Sequence, residues 1–198
     1  MPRKEKKKKK LAIIQAASLL FVKQGIEQTS LAGIARAVGI SKGTLYYYYS
    51  SKNDLIFDIT AHHMNQITTD LFSLIEQEGA GATSLETVLT ALVDTILNAK
   101  TRSRLHLYLI QEAMSGNEAI RQRFEKTYRE WFLSTTEGFR KIMAGGDDLE
   151  TVAPILVAVL DGFVIQSMLG VQRIPVNRIV HYLIKMVAIK TISDNSII

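Results

Sequence analysis

The chain has 198 residues, contains no cysteine and carries a formal net charge of +5. Hydrophobic residues make up 47% and charged residues 22%, as in ordinary soluble proteins of one or two domains. The lack of cysteine excludes disulfide frameworks and thiolate metal sites, and it suits the cytoplasmic location that we predict.

The positive charge is concentrated at the start of the chain. Residues 1–10 hold seven basic side chains and one acidic side chain, whereas residues 61–198 hold thirteen basic and fifteen acidic ones. We expect residues 1–10 to form a flexible basic arm that suits a polyanion, with nucleic acid as the leading candidate. The alternatives are a solubilising tail, or an arm through which a basic helical protein binds a membrane surface or a protein partner.

Apolar periodicity and helix-capping residues predict an all-α fold without strands. The nine predicted helices span about 11–25, 30–37, 42–48, 52–77, 84–99, 103–114, 118–143, 150–170 and 176–192.

The second and third helices form a helix-turn-helix pattern, because both are short and a three-residue turn that contains Gly39 joins them. Gly39 can take a positive φ at this turn, and Ser41 is placed to cap the third helix with its first N–H groups facing a phosphate. The residues expected to pack where the two helices cross are Ile34, Ala35, Val38, Ile40 and Leu45.

The third helix begins with short or flexible residues that let its backbone approach DNA. Lys42 can donate to a phosphate or to guanine, and Gly43 adds no side chain. The Thr44 hydroxyl can bond a base edge, while its methyl group can meet a thymine methyl group. We therefore expect the start of this helix to contact bases.

Four consecutive tyrosines, Tyr46 to Tyr49, follow in the same helix. Consecutive helical residues are about 100° apart, so at least one or two of these phenols should face outward and donate to phosphates. An aromatic cluster under the fourth helix is the structural alternative, and it applies first to Tyr49. Lys52 opens the fourth helix, where a phosphate would lie near a helix N-terminus.

Residues 13–55 resemble the N-terminal domain of TetR-family regulators, without a gap in the spacing. The positions that carry the resemblance are Ile14, Ala16-Ala17, Leu20-Phe21, Gly25, Thr29-Ser30, Ile34-Ala35, Gly39-Ile40-Ser41, Gly43-Thr44-Leu45-Tyr46, Tyr48-Tyr49, Lys52 and Leu55. Two positions depart from the usual pattern: Tyr49 stands where phenylalanine is common, and Ile40 stands where valine is common.

The resemblance implies a helix-turn-helix DNA-binding domain over 11–55 and a ligand-binding and dimerisation domain over 56–198. It implies a homodimer held by the helices at about 150–170 and 176–192, bound to a pseudo-palindromic operator in double-stranded DNA. Members usually repress, and a small-molecule effector releases them. The positions that match DNA contacts of the family are Ser30, Ser41, Lys42, Gly43, Thr44, Tyr46, Tyr47, Tyr48 and Lys52.

Effector contacts are predicted from apolar, aromatic and polar residues that recur at helical spacing, because ligand pockets are mostly apolar with a few polar groups. The candidates are His63, Met64, Ile67, Tyr108, Glu112, Tyr128, Trp131 and Phe132. The alternative is that these stripes belong to the core.

Nothing in the sequence matches an active site. His62 and His63 are adjacent and cannot chelate as an i, i+4 pair would, and no metalloprotease, phosphate-loop or nucleophile-elbow motif is present. We predict no enzyme activity, no metal and no cofactor. Residues 152–171 are mostly apolar, but a charge such as Asp161 costs ~3 kcal/mol at mid-bilayer, so we predict a buried helix and no membrane partner.

Overall fold

The computed structural model describes residues 3–78, 82–143, 148–171 and 174–194, and these residues form nine helices and no strand. The predicted all-α fold is confirmed. The helices are α1 (Arg3–Gln24), α2 (Leu31–Val38), α3 (Lys42–Tyr48), α4 (Lys52–Glu78), α5 (Ala82–Asn98), α6 (Lys100–Met114), α7 (Glu118–Ile142), α8 (Leu149–Leu169) and α9 (Val176–Asp194).

The start of α1 differs from the sequence-based expectation. The helix begins at Arg3 rather than near residue 11, so residues 3–10 are not the flexible arm that was expected, and residues 1–2 lie outside the described part. Lysine is a good helix former, so its run can continue a helix that already exists. The Lys10 ammonium also forms an ion pair with Asp58 at 2.6 Å, which ties this part of α1 to α4.

The chain divides into two compact units, each drawn from two separate segments. Unit 1 is Met1–Met64 with Thr101–Arg121, and unit 2 is Asn65–Lys100 with Gln122–Ile198. The functional division predicted between residues 55 and 56 stays a prediction.

Unit 1 contains the helix-turn-helix and its small core. Helix α1 packs against α2, and α2 packs against α3. Ile13, Ile34 and Leu45 are fully buried among these helices. Gly25 (φ +84°) follows the last residue of α1, and Gly39 (φ +71°) forms the turn, so both glycines have a left-handed conformation, as the sequence predicts for Gly39.

Unit 2 contains the long apolar helix α8, and α5 packs against both α8 and α9. Ala153 and Val180 are completely buried there. The opposite side of α8 stays exposed, and its exposed residues are separated by three, four or seven positions, that is, by one or two helical turns. This outer stripe of α8 consists of Thr151, Ile155, Ala158, Ile165 and Leu169.

Helix α8 passes a membrane-span test by length and composition alone, with a mean hydropathy of 2.0 in its most apolar window. The core helix of a soluble protein passes the same test. Asp161 lies near its centre, as a half-buried carboxylate. The helix therefore carries no argument for a membrane protein.

Candidate nucleic-acid interface

The helix-turn-helix is shaped by short-range hydrogen bonds. The Ser30 Oγ caps α2 by accepting from the Gly33 N–H at 3.1 Å. The Ser41 Oγ caps α3 by accepting from the Thr44 N–H at 3.0 Å, and it lies 2.8 Å from the Thr44 Oγ1. The predicted capping by Ser41 is confirmed. Each cap satisfies an N–H group that a helix leaves without a partner, and it holds a hydroxyl at the helix start.

The first turn of α3 is open to solvent. Lys42 and Gly43 are exposed, and the Lys42 ammonium lies 5.7 Å from the centre of the Tyr46 ring. A Cβ atom added at Gly43 would meet nothing closer than the Ser41 Oγ, at 3.9 Å. The protein itself therefore does not require glycine at this position, which is consistent with a close approach by another molecule.

The four tyrosines divide by exposure, as predicted. Tyr47 is 70% exposed and Tyr46 is 46% exposed, whereas Tyr49 is only 4% exposed. Tyr48 is half-buried, and its ring meets that of Tyr47 edge-on at 5.3 Å. The Tyr49 hydroxyl donates to the Asp58 Oδ2 at 2.8 Å, and burial, reinforced by this hydrogen bond, raises the pKa of the phenol. Tyr49 is thus a structural residue, while Tyr46 and Tyr47 present outward phenols.

Lys52 has a structural contact that the sequence did not predict. Its Nζ donates to the Ile26 carbonyl oxygen at 2.9 Å, and its side chain is half-buried. The bond ties the start of α4 to the turn after α1. No local pattern predicts this contact, because the two residues are 26 positions apart.

The predicted effector residues fall in both units, and their contact with a ligand stays a prediction. Those in unit 1 are His63, Met64, Tyr108 and Glu112. Those in unit 2 are Ile67, Tyr128, Trp131 and Phe132.

Asn53 connects two of the unit 1 candidates. Its Nδ2 donates to the Glu112 Oε2 at 2.8 Å, and its Oδ1 accepts from the Tyr108 hydroxyl at 3.2 Å. These bonds join the first turn of α4 to α6. The sequence missed Asn53, because its partners are 55 and 59 positions away.

The other two candidates of unit 1 are half-buried. The Met64 sulfur accepts from the Arg102 Nη1 at 2.8 Å. The pKa of His63 is lowered, first by burial and then by the nearby His62 and Arg102. His63 therefore favours its neutral form in the folded protein.

Unit 2 contains an aromatic cluster centred on Tyr128. Its ring lies 5.0 Å from that of Trp131, 6.0 Å from that of Phe124 and 6.1 Å from that of Phe132. The Tyr128 hydroxyl donates to the Asp161 Oδ2 at 2.6 Å. Burial, followed by this hydrogen bond, raises the pKa of the Tyr128 phenol.

A depression of about 700 Å³ also lies in unit 2, at the ends of α5 and α8 and the start of α9. Asp94, Lys100 and Arg178 are among its lining residues. None of the eight predicted effector residues lines it.

Two family models match most of the chain. Residues 13–59 match the model described as "Bacterial regulatory proteins, tetR family". Residues 81–188 match the model described as "BetI-type transcriptional repressor, C-terminal". The first match covers the helix-turn-helix, and the second covers more than half of the chain.

Individual proteins agree with these family models. The HTH-type transcriptional regulator SAR2658 of Staphylococcus aureus (strain MRSA252) is 31% identical over 137 residues, which span 66% of each chain. A protein of Mesorhizobium loti MAFF303099, assigned to TetR-family regulators, has a similar fold (TM-score 0.73, 21% identity, 94% of this chain and 96% of that one). Another neighbour, a protein of Saccharomonospora viridis assigned as a transcriptional regulator, was crystallised with choline (TM-score 0.65, 20% identity, 88% and 92% covered).

Proposed function

Because the chain belongs to the TetR family of DNA-binding transcriptional regulators, we propose that it is a cytoplasmic repressor that a small-molecule effector releases from its operator. The family and the fold are those of regulators and not of enzymes. The observation that carries the proposal is the exposed first turn of α3, capped by Ser41 and followed by two outward-facing phenols.

DNA recognition is assigned to α3 in the major groove. Lys42 and Thr44 contact base edges, and the absence of a side chain at Gly43 lets the backbone come close. Tyr47 donates to a phosphate and sets the register of the helix on the duplex. The remaining predicted contacts, which we assign to the DNA backbone, are Ser30, Ser41, Tyr46, Tyr48 and Lys52.

The outer stripe of α8 supports a homodimer. Ile155 is 55% exposed, Ile165 is 44% exposed and Leu169 is 72% exposed, so the described residues leave this side of an apolar helix uncovered. A Cβ atom at Gly162, in the same helix, would meet nothing within 4 Å. Apolar stripes with small residues pack well against a second copy, and the dimer places two copies of α3 in successive major grooves about 34 Å apart.

The aromatic cluster of unit 2 is proposed as the effector site. Tyr128, Trp131 and Phe132 offer ring faces, and Asp161 adds a carboxylate. Aromatic faces beside a carboxylate suit a cationic effector, because cations are attracted both by ring quadrupoles and by negative charge. The choline complex of the similarly folded Saccharomonospora viridis protein supports this chemistry.

The DNA assignment is tested by fluorescence anisotropy on duplexes that the full-length protein selects from a random-sequence pool. We expect Lys42→Gln and Tyr47→Ala each to weaken binding about tenfold or more, since a good base or backbone contact contributes ~1–3 kcal/mol. Lys126→Gln is the matched control, because Lys126 is an exposed lysine of α7. Selection of no sequence above random DNA at physiological salt contradicts the proposal.

The effector assignment is tested by calorimetric titration with choline and with its uncharged isostere 3,3-dimethylbutan-1-ol. We expect choline to bind the wild type more tightly than the alcohol does, and Asp161→Asn to abolish the difference. Choline should also weaken DNA binding by the wild type. Equal binding of the two compounds contradicts a cationic effector, without affecting the DNA assignment.

A further inference from the structure

The lysine-rich start of α1 is ordered, although its charges oppose one another. Lys4 and Lys6 to Lys10 lie in the first two turns of a helix, where like charges repel and the helix dipole disfavours cations. The Glu5–Lys9 ion pair, at 3.5 Å, relieves little of this because both side chains are exposed. Contacts outside α1 are therefore needed to hold these turns in place.

One carboxylate provides such a contact. The Asp58 Oδ2 lies 2.6 Å from the Lys10 ammonium and accepts the Tyr49 hydroxyl at 2.8 Å. Lys10 belongs to α1, Tyr49 ends α3, and Asp58 belongs to α4. The Asp58 side chain is only 25% exposed, so both contacts are partly shielded from solvent. We call these three residues the lysine lock.

A second contact lies one turn earlier on the same side of α1. The Lys6 ammonium is 3.5 Å from the Tyr47 hydroxyl and 5.2 Å from the centre of its ring. Tyr47 is the exposed phenol assigned to DNA. The start of α1 is therefore held next to the proposed DNA-reading helix at two successive turns.

Three of the other lysines of these turns lie on a different side of α1 from Lys6. Helical geometry puts Lys6 and Lys10 on the side of α1 that continues into buried Ile13, whereas Lys4, Lys7 and Lys8 lie 100° or more from Lys6 around the axis. All three are exposed. We call them the basic ridge.

We propose that the lysine lock holds the start of α1 next to α3 and thereby presents the basic ridge as a preformed site for the phosphates of the DNA backbone. The ridge residues touch phosphates, whereas Tyr49, Asp58 and Lys10 are positioning residues that raise affinity without touching DNA. A flexible arm would lose conformational entropy on binding, and the lock removes that loss in advance. The proposal rests on the DNA-binding function above, and it replaces the flexible arm with an ordered one.

The ridge is tested by the salt dependence of DNA binding. Each phosphate contact contributes about 0.9 to the slope of log K against log salt, so the triple variant Lys4→Gln, Lys7→Gln, Lys8→Gln should flatten the slope by about 3. The control removes three positive charges from α7 by Lys126→Gln, Arg129→Gln and Lys141→Gln, and it should leave the slope within 1 of the wild type. All measurements use the duplex that the wild type selects.

The lock is tested by Tyr49→Phe, which removes one hydroxyl and keeps the buried ring. We expect faster amide hydrogen exchange in residues 4–10, a flatter salt slope and roughly tenfold weaker binding, with a loss of stability no larger than that of Tyr128→Phe, which loses an equivalent hydrogen bond. Asp58→Asn is the second variant and should act in the same direction. Tyr108→Phe removes another phenol of unit 1 and should leave exchange in residues 4–10 unchanged.

The outcomes separate the two proposals. If the wild type selects no duplex, the regulator function itself fails. If the wild type selects a duplex but the triple variant keeps the wild-type salt slope, the proposal that the basic ridge contacts phosphates is overturned. If Tyr49→Phe and Asp58→Asn leave both the amide hydrogen exchange of residues 4–10 and the salt slope of DNA binding unchanged, the proposed role of the lysine lock is overturned. Loss of binding to phosphatidylserine vesicles in the triple variant, with its DNA slope intact, would assign the ridge to a membrane surface and also overturn the proposal.

Discussion

The helix-turn-helix of unit 1 and the aromatic cluster of unit 2 are both rich in aromatic residues, but their polar contacts differ in range. In the helix-turn-helix, Ser41 caps a helix by bonding a residue three positions away. In the cluster, the Tyr128 hydroxyl reaches Asp161, 33 positions away. A site built from short-range bonds can be recognised by spacing alone. A site built from distant residues exists only once the chain has folded.

The two regions also use the phenol differently. Tyr47 is 70% exposed and can contact another molecule, although its hydroxyl also accepts a hydrogen bond from Lys6, whereas Tyr128 is half-buried and bonded to a carboxylate. A mutation at the first should change binding with little effect on stability, and a mutation at the second should change stability. Four predictions test this contrast between the units, from the largest expected effect to the smallest.

The largest effect is expected from Ile165→Glu on the outer stripe of α8. The charge would have to be buried between two subunits, so the dimer should dissociate at micromolar concentration. Because linked binding of two half-sites adds about 10²–10⁴ in affinity, operator binding should fall at least about 100-fold although α3 is untouched. Sedimentation velocity and anisotropy measure the two effects. The control is Leu133→Glu on α7, because Leu133 is 72% exposed. If the Ile165→Glu variant forms a dimer as stable as that of the wild type, the prediction is contradicted.

The next effect is expected from Gly43→Ala in α3. The added methyl group meets no atom of the protein closer than 3.9 Å, and alanine favours helix over glycine by ~1 kcal/mol, so the free protein should be as stable or more stable. DNA binding should weaken about tenfold, because the methyl group occupies the approach to the bases. Thermal unfolding measures the stability of the free protein, and anisotropy measures its affinity for DNA. Gly138→Ala, where the new Cβ atom would lie 3.6 Å from an Ile75 methyl group, should leave binding unchanged.

A smaller effect, on stability, is expected from Tyr128→Phe. Loss of the hydrogen bond to a half-buried carboxylate should lower the free energy of unfolding by about 1–2 kcal/mol, as measured in urea. Tyr47→Phe should change it by less than ~0.5 kcal/mol while still weakening DNA binding. Equal stability losses in the two variants would refute the division of roles between these phenols.

The smallest effect concerns pH. Because the pKa of His63 is lowered in the folded protein by burial and by the nearby His62 and Arg102, the unfolded chain binds a proton there more readily. Stability should therefore fall as the pH drops through the ordinary histidine pKa of about 6.5, and level off below the folded value. Denaturation at pH 7.5 and pH 5 should show a smaller decrease for His63→Gln than for the wild type. An identical decrease would assign the pH dependence to other groups.

The sequence predicted the helices well, because their signals are local. Ser41 and Gly39 take the cap and turn conformations that their residue types favour, and α3 has the predicted bounds. The division of the four tyrosines followed from helical geometry alone. The start of α1 was missed because a run of lysines is typical of both a solvated tail and a helix, and only contacts with α3 and α4 decide between them.

By itself, then, the sequence determined the all-α fold and the helix-turn-helix, because the capping and turn signals that define them act within about four residues. The tertiary structure alone decided that Lys52 bonds the Ile26 carbonyl and that Asp58 joins Tyr49 to Lys10. These bonds close long loops, and their partners are selected by the packing of whole helices. The spacing of residues along the chain does not predict which distant residues this packing brings together.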